Sequence, residues 1–213
     1  ELTRGPILPL ILQFLFPMFL GNVFQQLYNM ADMIIVGRYV GAGALAAVGS
    51  TGTLMFLIQG FALGITAGFG ILTSQRFGAR DEAGVRRSVA NGTLLAVLLS
   101  IVMTVLSTAA VPWLLSLMNT PEDIFGDAQT YITIIFQGLF ANIFYNMGSV
   151  FLRAVGDSKA PLFFLVFSAC LNVGLDLLCI LQFQMGVAGA AVTTVVSQAL
   201  SALLCALYML RSV

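Results

Sequence analysis

Residues 93–117 read TLLAVLLSIVMTVLSTAAVPWLLSL, a run of 25 residues without a charged side chain. A helix needs about 20 mainly apolar residues to cross the hydrocarbon core of a bilayer, so this stretch predicts a transmembrane helix. Similar runs recur along the chain. They predict six spans, over residues 7–36, 45–72, 88–117, 128–152, 162–181 and 187–210.

The composition of the whole chain agrees with a membrane protein. Of its 213 residues, 59% are hydrophobic and only 8% are charged, whereas a soluble domain carries about 25% charged residues. The formal net charge is zero, and no basic tract points to a nucleic-acid partner. We therefore expect an all-α polytopic membrane protein, a single six-helix bundle over residues 1–213 whose main partner is the lipid bilayer.

The cysteines give no sign of a disulfide or a metal site. Cys170, Cys179 and Cys205 all lie within apolar runs, and the chain contains no histidine. Disulfide frameworks and zinc sites need cysteine or histidine clustered at polar loops. We expect the three cysteines to be small packing residues and the protein to need no cofactor.

The basic residues predict the orientation, because lysine and arginine are retained on the cytoplasmic side of a membrane. With the N-terminus in the cytoplasm, eight of the nine basic residues lie inside and only Arg38 lies outside. We therefore predict a multi-pass protein of the cell membrane, inner or plasma, with both termini in the cytoplasm.

Two aspartates, Asp32 and Asp176, fall within the predicted spans. A charged residue near the centre of a membrane helix costs about 2.5 kcal/mol or more, so each of them needs an explanation. Both predicted helices run outward and place their aspartate a similar distance from the outer end. We expect the two carboxyl groups at a similar depth. The alternative is that they cap helix ends or reach the outer interface.

Further polar residues accompany the aspartates at helical spacing. Asn172 precedes Asp176 by four residues, and Thr194 on the sixth predicted helix reaches the same depth, with Gln198 one turn deeper. We expect Asp176, Asn172 and Thr194 to converge. A matching polar strip precedes Asp32 and must face the bundle interior or a wet cavity; it consists of Asn22, Gln25 and Asn29. Such oxygens suit a hard monovalent cation or an exchangeable proton.

Several smaller features concern helix packing and symmetry. A shift of 144 positions aligns Asp32 with Asp176 and Ser50 with Thr194, which predicts a shared design for the first and last hairpins unless the match is chance. Pro17 lies inside the first helix and predicts a bend, either a hinge or a static kink. A glycine at every fourth position of the second helix predicts a close approach by another helix; these are Gly60, Gly64 and Gly68.

Three longer stretches resemble a known family. They are GNVFQQLYNMAD at 21–32, RAVGDSKAP at 153–161 and NVGLD at 172–176. In this order and at these spacings they resemble the multidrug and toxic compound extrusion (MATE) transporters. Members have twelve helices in two six-helix lobes and export cationic or amphipathic compounds in exchange for Na⁺ or H⁺. The resemblance covers the N-terminal lobe, so it implies a second six-helix lobe, from the same or another chain, as a partner.

The resemblance also implies roles for individual residues. The cation site of the N-terminal lobe corresponds to Asp32, Asn172 and Asp176, with Thr194 and Asn146 in the same network. The first four of these are the candidate Na⁺ ligands, and Pro17 corresponds to a hinge. We expect the substrate cavity to be lined by Tyr28, Gln25, Asn29 and Gln198.

Other functions remain open at this point. A flippase for lipid-linked oligosaccharides belongs to the same superfamily, but it should carry more basic residues within its spans. An intramembrane aspartyl protease also needs two membrane aspartates. Its signatures are Tyr-Asp and Gly-x-Gly-Asp, whereas Ala31 precedes Asp32 and Gly174-Leu175 precedes Asp176, so we do not expect an enzyme. A non-transporting scaffold or a self-pairing half-transporter is the remaining alternative.

Overall fold

The computed structural model describes residues 7–212, and within this range the secondary structure is helical throughout. Seven α-helices follow one another along the chain, with a π-helical turn at Leu178–Gln182 between the last two. Their bounds are α1 Ile7–Tyr39, α2 Ala42–Gly78, α3 Glu82–Leu117, α4 Glu122–Gln137, α5 Leu139–Ala154, α6 Lys159–Leu177 and α7 Gly186–Ser212.

Five of these helices are long and apolar enough to cross a membrane, and α4 and α5 together provide a sixth candidate span. The predicted all-α membrane fold is therefore confirmed. The observed helices extend past several predicted ends, because α2 continues to Gly78 and α3 already begins at Glu82. The predicted spans were ended where charged residues begin. An α-helix can nevertheless continue past such residues once it has left the apolar layer.

The fourth predicted span, residues 128–152, was wrong as a single continuous helix. It divides at Gly138, where α4 and α5 meet at an angle of 47°. A Cβ atom at this position would collide with Val195 of α7, so glycine is the residue that allows α7 to approach. Glycine is also a weak helix former. Both halves pack against α7, and together they are long and apolar enough for one bent span.

The centre of the bundle is the α4–α5 pair, enclosed mainly by α2, α3 and α7. Its inward side chains are almost wholly buried, each at most 2% exposed; they include Ile132, Phe136, Leu139, Ile143 and Phe151. α1 lies at the periphery and packs mainly on α6 and α2. Only 6% of the residues in the most apolar stretch of α1 are buried, against 39% in α7. One side of the bundle, along α1, is thus open.

The predicted close packing at Gly60, Gly64 and Gly68 is not found between helices of the described chain. Within residues 7–212, no atom outside their own helix lies within 4 Å of a Cβ built at any of the three. Close helix contacts occur elsewhere, at Gly70 against Val150 and at Gly92 against Phe151. The face of α2 that carries the repeated glycines is therefore free within the bundle.

Candidate functional site

Asp176 lies in the last turn of α6, just before the π-helical turn, and is completely buried. Thr193 of α7 donates a hydrogen bond from its hydroxyl to Oδ1 of Asp176. With the Asn172 amide oriented so that its nitrogen faces the carboxylate, Nδ2 donates to Oδ2 at 3.0 Å. Both carboxylate oxygens are thus held by neighbours, and the rotamer of Asp176 is fixed.

Asn172 ties the two helices together at this level. In the same orientation its side-chain oxygen accepts a hydrogen bond from the backbone N–H of Thr194 at 3.2 Å. The hydroxyl of Thr194 donates to the carbonyl of Ala190 at 2.9 Å, one turn earlier on its own helix. The structure therefore brings Asn172, Asp176 and Thr194 together where the sequence placed them, one helical turn apart on α6 and facing α7.

Asp32 reaches the same site from α1. It is only 7% exposed, and its carboxyl group lies close enough to that of Asp176 for the two to interact electrostatically. Its Oδ1 atom is buried without a hydrogen-bond partner. Two neighbouring buried carboxyl groups repel each other when both are ionised, and a shared proton or a bound cation would remove that repulsion. The buried pair is the chemical centre of the site.

Two tyrosines border the carboxyl pair. Tyr28, one turn before Asp32 on α1, places its hydroxyl beside Thr194, where it is buried without a well-formed hydrogen bond. Tyr131 of α4 is 3% exposed and lies within electrostatic range of Asp32 and Tyr28. These phenols offer further oxygen atoms toward the pair and shield it from the rest of the bundle.

The sequence analysis missed Thr193 and Tyr131. The signal for Thr193 was its position in a row of small polar residues spaced by four along α7, which continues through Ser197 and Ser201. Tyr131 carried a weaker signal: it is a polar aromatic residue in the outer half of the fourth predicted span. Its contact with the site depends on how α4 packs, which no local pattern encodes.

Other predicted site residues lie apart from the carboxyl pair. Asn146 hydrogen-bonds to Asn142, one turn earlier on α5, through both the carbonyl at 2.9 Å and the side-chain oxygen at 3.0 Å. Asn29 is exposed, whereas Gln25 and Gln198 are half-buried. Pro17 is buried within α1, which continues as one helix across it. Its role as a hinge stays a prediction.

A groove of about 310 Å³ lies on the open side of α1. It is lined by Asn22, Val23, Gln26, Leu27 and Met30. Two amides therefore stand beside apolar side chains on a surface that would otherwise face lipid. None of the predicted cavity residues, Tyr28, Gln25, Asn29 and Gln198, lines this groove, and their role in a substrate cavity stays a prediction.

The donor set fits a monovalent cation or a proton better than a transition metal. Across residues 7–212, no three or more His, Cys, Asp and Glu side chains gather in a geometry that could hold a metal ion. The site offers two carboxyl groups, one amide and several hydroxyls. Hard, weakly held cations prefer such oxygen ligands.

Known proteins match this chain over most of its length. The family model MatE matches residues 17–178. The chain is 34% identical over 211 residues to the probable multidrug resistance protein YpnP of Bacillus subtilis (strain 168), covering 99% of this chain and 47% of YpnP. It is 35% identical over 188 residues to the probable multidrug resistance protein YoeA of the same organism, covering 86% and 41%.

Solved structures give the same result. One, described as an outward-facing multidrug resistance MATE family transporter of the MOP superfamily, superposes with a TM-score of 0.85 at 30% identity, covering 91% of this chain and 43% of that one. Another, from Pyrococcus furiosus, is described as a MOP superfamily transporter with reversed binding-pocket polarity. It has the same TM-score, identity and coverage. The chain spans about half the length of the relatives it matches.

Proposed function

Because this chain belongs to the MatE family, whose members are multi-pass membrane transporters and not enzymes, we propose that it supplies the cation-binding half of an antiporter. In this proposal the antiporter exports cationic or amphipathic compounds and takes up H⁺ or Na⁺ in exchange. One observation carries the proposal: the carboxyl groups of Asp32 and Asp176 lie close together in a buried site, where a shared proton or a bound cation would remove the repulsion between them.

Competition between the coupling ion and the cationic substrate for the Asp32–Asp176 pair would couple ion uptake to substrate export. A proton or Na⁺ bound between Asp32 and Asp176 neutralises the site, and its departure leaves a negative charge that attracts a cationic substrate. A bound species shifts a conformational equilibrium only if it binds the two states with different affinities. Asp32 and Asp176 come from different helices, so any movement of α1 relative to α6 changes the affinity of the pair for the coupling ion.

The groove on α1 supports a substrate path next to this site. Asn22 and Gln26 expose amide groups on a membrane helix, and polar groups of this kind are not stable against lipid. They would instead border an aqueous cavity through which the substrate reaches Asp32. The apolar neighbours in the groove would contact the hydrophobic part of an amphipathic compound.

A second six-helix lobe, from the same chain or another, would cover the open side of α1 and α2. The free glycine face at Gly60, Gly64 and Gly68 allows a foreign helix to approach closely. Alternating access would then be a rocking of the two lobes about the cavity between them. The distribution of basic residues supports a cell-membrane location, inner or plasma, with both termini in the cytoplasm.

Exchange of the two carboxyl groups for amides tests this function. In cells or proteoliposomes that carry the protein, the variant Asp32→Asn with Asp176→Asn should abolish ethidium efflux driven by an imposed H⁺ or Na⁺ gradient. Asp123→Asn is the matched control, because this acidic residue lies in the first turn of α4, outside the site, and its efflux should equal the wild type. Unchanged efflux in the double variant would contradict the proposal.

A further inference from the structure

Three helix ends meet at the membrane face opposite the carboxyl pair. They are the C-terminal ends of α5 and α7 and the N-terminal end of α6. The hydroxyl of Tyr208 on α7 donates a hydrogen bond to Oδ2 of Asp157, in the loop between α5 and α6, at 2.9 Å. Arg153, in the last turn of α5, lies within electrostatic range of Cys205 on α7. Contacts therefore join all three helix ends into one region.

This region carries an excess of positive charge. Its charged residues, which we call the basic corner, are Arg153, Asp157, Lys159 and Arg211. Lys159 begins α6 and is exposed. Arg211 is also exposed; it follows Tyr208 by three residues, so it lies on nearly the same side of α7 and about 4.5 Å further along the helix. Three cations and one carboxylate give the basic corner a net charge of +2.

The carboxylate of the basic corner is engaged by groups other than Arg153. Oδ1 of Asp157 accepts hydrogen bonds from the backbone N–H groups of Lys159 and Ala160, both at 3.1 Å, and so caps α6. Its Oδ2 accepts the hydrogen bond from Tyr208. Within residues 7–212, Arg153 forms no ion pair with any carboxylate. Asp157 therefore holds the helix ends together and leaves Arg153 without a counter-ion.

Arg153 has an unused hydrogen-bond donor. Its side chain is half-buried, and its Nε atom is enclosed without an acceptor among the described residues. Buried polar atoms in proteins nearly always have a partner, and a buried donor without one is costly. The dipole of α5 favours a cation at the C-terminal end of the helix, but it does not supply an acceptor for Nε. An anion from outside the chain would satisfy both the charge and the donor.

A row of aromatic rings lies beside the basic corner. Phe163 and Phe164 of α6 pack edge to face with their ring centroids 5.9 Å apart, and Phe164 packs in the same way on Tyr208 of α7 at 5.8 Å. Phe163 is 67% exposed, so the row extends from the packed interior to the surface of a membrane helix. Amphipathic aromatic rings are typical of the depth at which lipid headgroups meet acyl chains. The surroundings therefore favour an anion that also has an apolar body.

We propose that the basic corner binds the headgroup of an anionic phospholipid, with Arg153 as the main ligand of its phosphate. The planar guanidinium group matches the geometry of phosphate oxygens, and basic pockets between membrane helices suit anionic headgroups. Lys159 and Arg211 attract the negative charge and repel the choline group of a zwitterionic lipid. The acyl chains lie along Phe163. This site is separate from the carboxyl pair, since the rise along α6 from Lys159 to Asp176 is about 25 Å.

Native mass spectrometry of the purified protein tests this site. The protein is released from detergent micelles that contain equal amounts of phosphatidylglycerol and phosphatidylcholine, and the ratio of the two lipids that stay bound is measured. The wild type should retain phosphatidylglycerol in preference. Arg153→Gln keeps a long polar side chain but removes the charge and the fork, and it should lower this preference about tenfold. Arg153→Lys keeps the charge alone and should lower the preference less.

Two further variants separate this site from general surface charge and from misfolding. Arg86→Gln is the matched control, because Arg86 is an exposed cation near the start of α3, at the same membrane face but outside the basic corner; it should keep the wild-type preference. Lys159→Gln with Arg211→Gln removes only exposed side chains, so the fold is not at risk. We expect this double variant to lower the preference about fivefold.

Three results would overturn the proposal. One is an unchanged preference for phosphatidylglycerol in both Arg153→Gln and the double variant. Another is a loss in Arg86→Gln as large as that in Arg153→Gln, which would mean that surface charge alone attracts the lipid. The third is displacement of phosphatidylglycerol by millimolar inorganic phosphate, which would make this a site for free anions. None of these results bears on the proposed transport function, because lipid binding here involves neither the carboxyl pair nor the substrate groove.

Discussion

The first and last hairpins of this chain carry the same sequence pattern but differ in their surroundings. In both, an aspartate precedes the outer turn and a hydroxyl follows it. In the α6–α7 hairpin, Thr193 and Asn172 hold Asp176 on both oxygens. In the α1–α2 hairpin, Ser50 bonds to the carbonyl of Ala47 on its own helix at 2.8 Å, and the partner of Asp32 comes from the other hairpin.

The difference shows how one pattern can serve two purposes. The α6–α7 hairpin lies within the bundle and forms a rigid, nearly complete binding site. The α1–α2 hairpin contributes one carboxyl group and leaves Asn22, Gln26 and the repeated glycines of α2 on an open surface. A site built from one fixed and one peripheral element can change its affinity when the peripheral element moves. The following predictions test this contrast.

The largest effect should come from the aspartates themselves. Asp176→Ala leaves the buried amide of Asn172 without its acceptor, which costs about 1–3 kcal/mol, whereas the Thr193 hydroxyl can still donate to the carbonyl of Ala190 at 2.9 Å. Asp32→Ala removes a carboxyl group that accepts fewer hydrogen bonds and relieves the contact between two acids. We therefore expect a clearly lower thermal unfolding midpoint for Asp176→Ala than for Asp32→Ala. A thiol-reactive dye can follow unfolding through Cys205, which is wholly buried, once the exposed Cys170 and half-buried Cys179 are replaced by serine; equal midpoints would contradict the contrast.

A matched pair of glycines tests which faces are already packed. Gly70→Ala would drive a methyl group into Val150, and overpacking of this kind costs about 1–3 kcal/mol. Gly64→Ala adds the same methyl group on the free face of α2 and should leave the unfolding midpoint of the bundle unchanged or slightly raised. A drop for Gly64→Ala as large as that for Gly70→Ala would mean that this face is packed within the bundle.

One hydroxyl from each hairpin, Thr193 in the last and Ser50 in the first, should differ in its effect as well. Thr193→Val keeps the side-chain shape but removes the donor to Asp176, and we expect a destabilisation of about 1–2 kcal/mol, together with weaker cation binding at the site. Ser50→Ala removes a hydrogen bond to the helix backbone and should cost less than about 0.5 kcal/mol. Urea or thermal unfolding of the two variants side by side measures the difference. Similar losses would show that the hairpins are equivalent.

The smallest effect concerns the inner end of the first hairpin. Asp81 caps α3 by accepting a hydrogen bond from the N–H of Gly84 at 2.9 Å, and it pairs with Arg76 at 3.1 Å. The Gly84 hydrogen bond, with help from Arg76, lowers the pKa of Asp81 below its ordinary value. The cap therefore stabilises the fold at neutral pH, and its contribution is lost as the pH falls through the lowered pKa.

A pH series of unfolding midpoints, compared between wild type and Asp81→Asn, measures this contribution. The difference between the two proteins should be small at neutral pH and vanish in acid. A difference that instead grew as the pH fell would contradict the assignment of the cap.

The sequence was sufficient to predict the all-α membrane fold and the proximity of Asn172, Asp176 and Thr194, whose role stays a prediction. Long uncharged runs identify membrane helices, and four-residue spacing places Asn172 on the same face as Asp176. The number of residues between the start of the sixth predicted helix and Thr194 placed Thr194 at the same membrane depth as Asp176. These inferences succeed because they depend on helix geometry, which is local.

The features that sequence did not reveal depend on contacts between helices. The break at Gly138 follows from its packing against Val195, and Tyr131 lies near the site because of the way α4 packs. Asn146 hydrogen-bonds to Asn142 on its own helix, and its place in the network stays a prediction. The glycine repeat on α2 correctly indicated a small-residue face, yet no helix of the described range covers it.

The most direct test of the central claim is the competition between ethidium and small cations for the purified protein. If Asp32 and Asp176 form one shared cation site, the affinity for ethidium should fall at least about tenfold, or about 1.4 kcal/mol, when either the H⁺ or the Na⁺ concentration is raised. In Asp32→Asn with Asp176→Asn, the affinity should no longer respond to either ion. Competition that persists undiminished in the double variant would contradict the account.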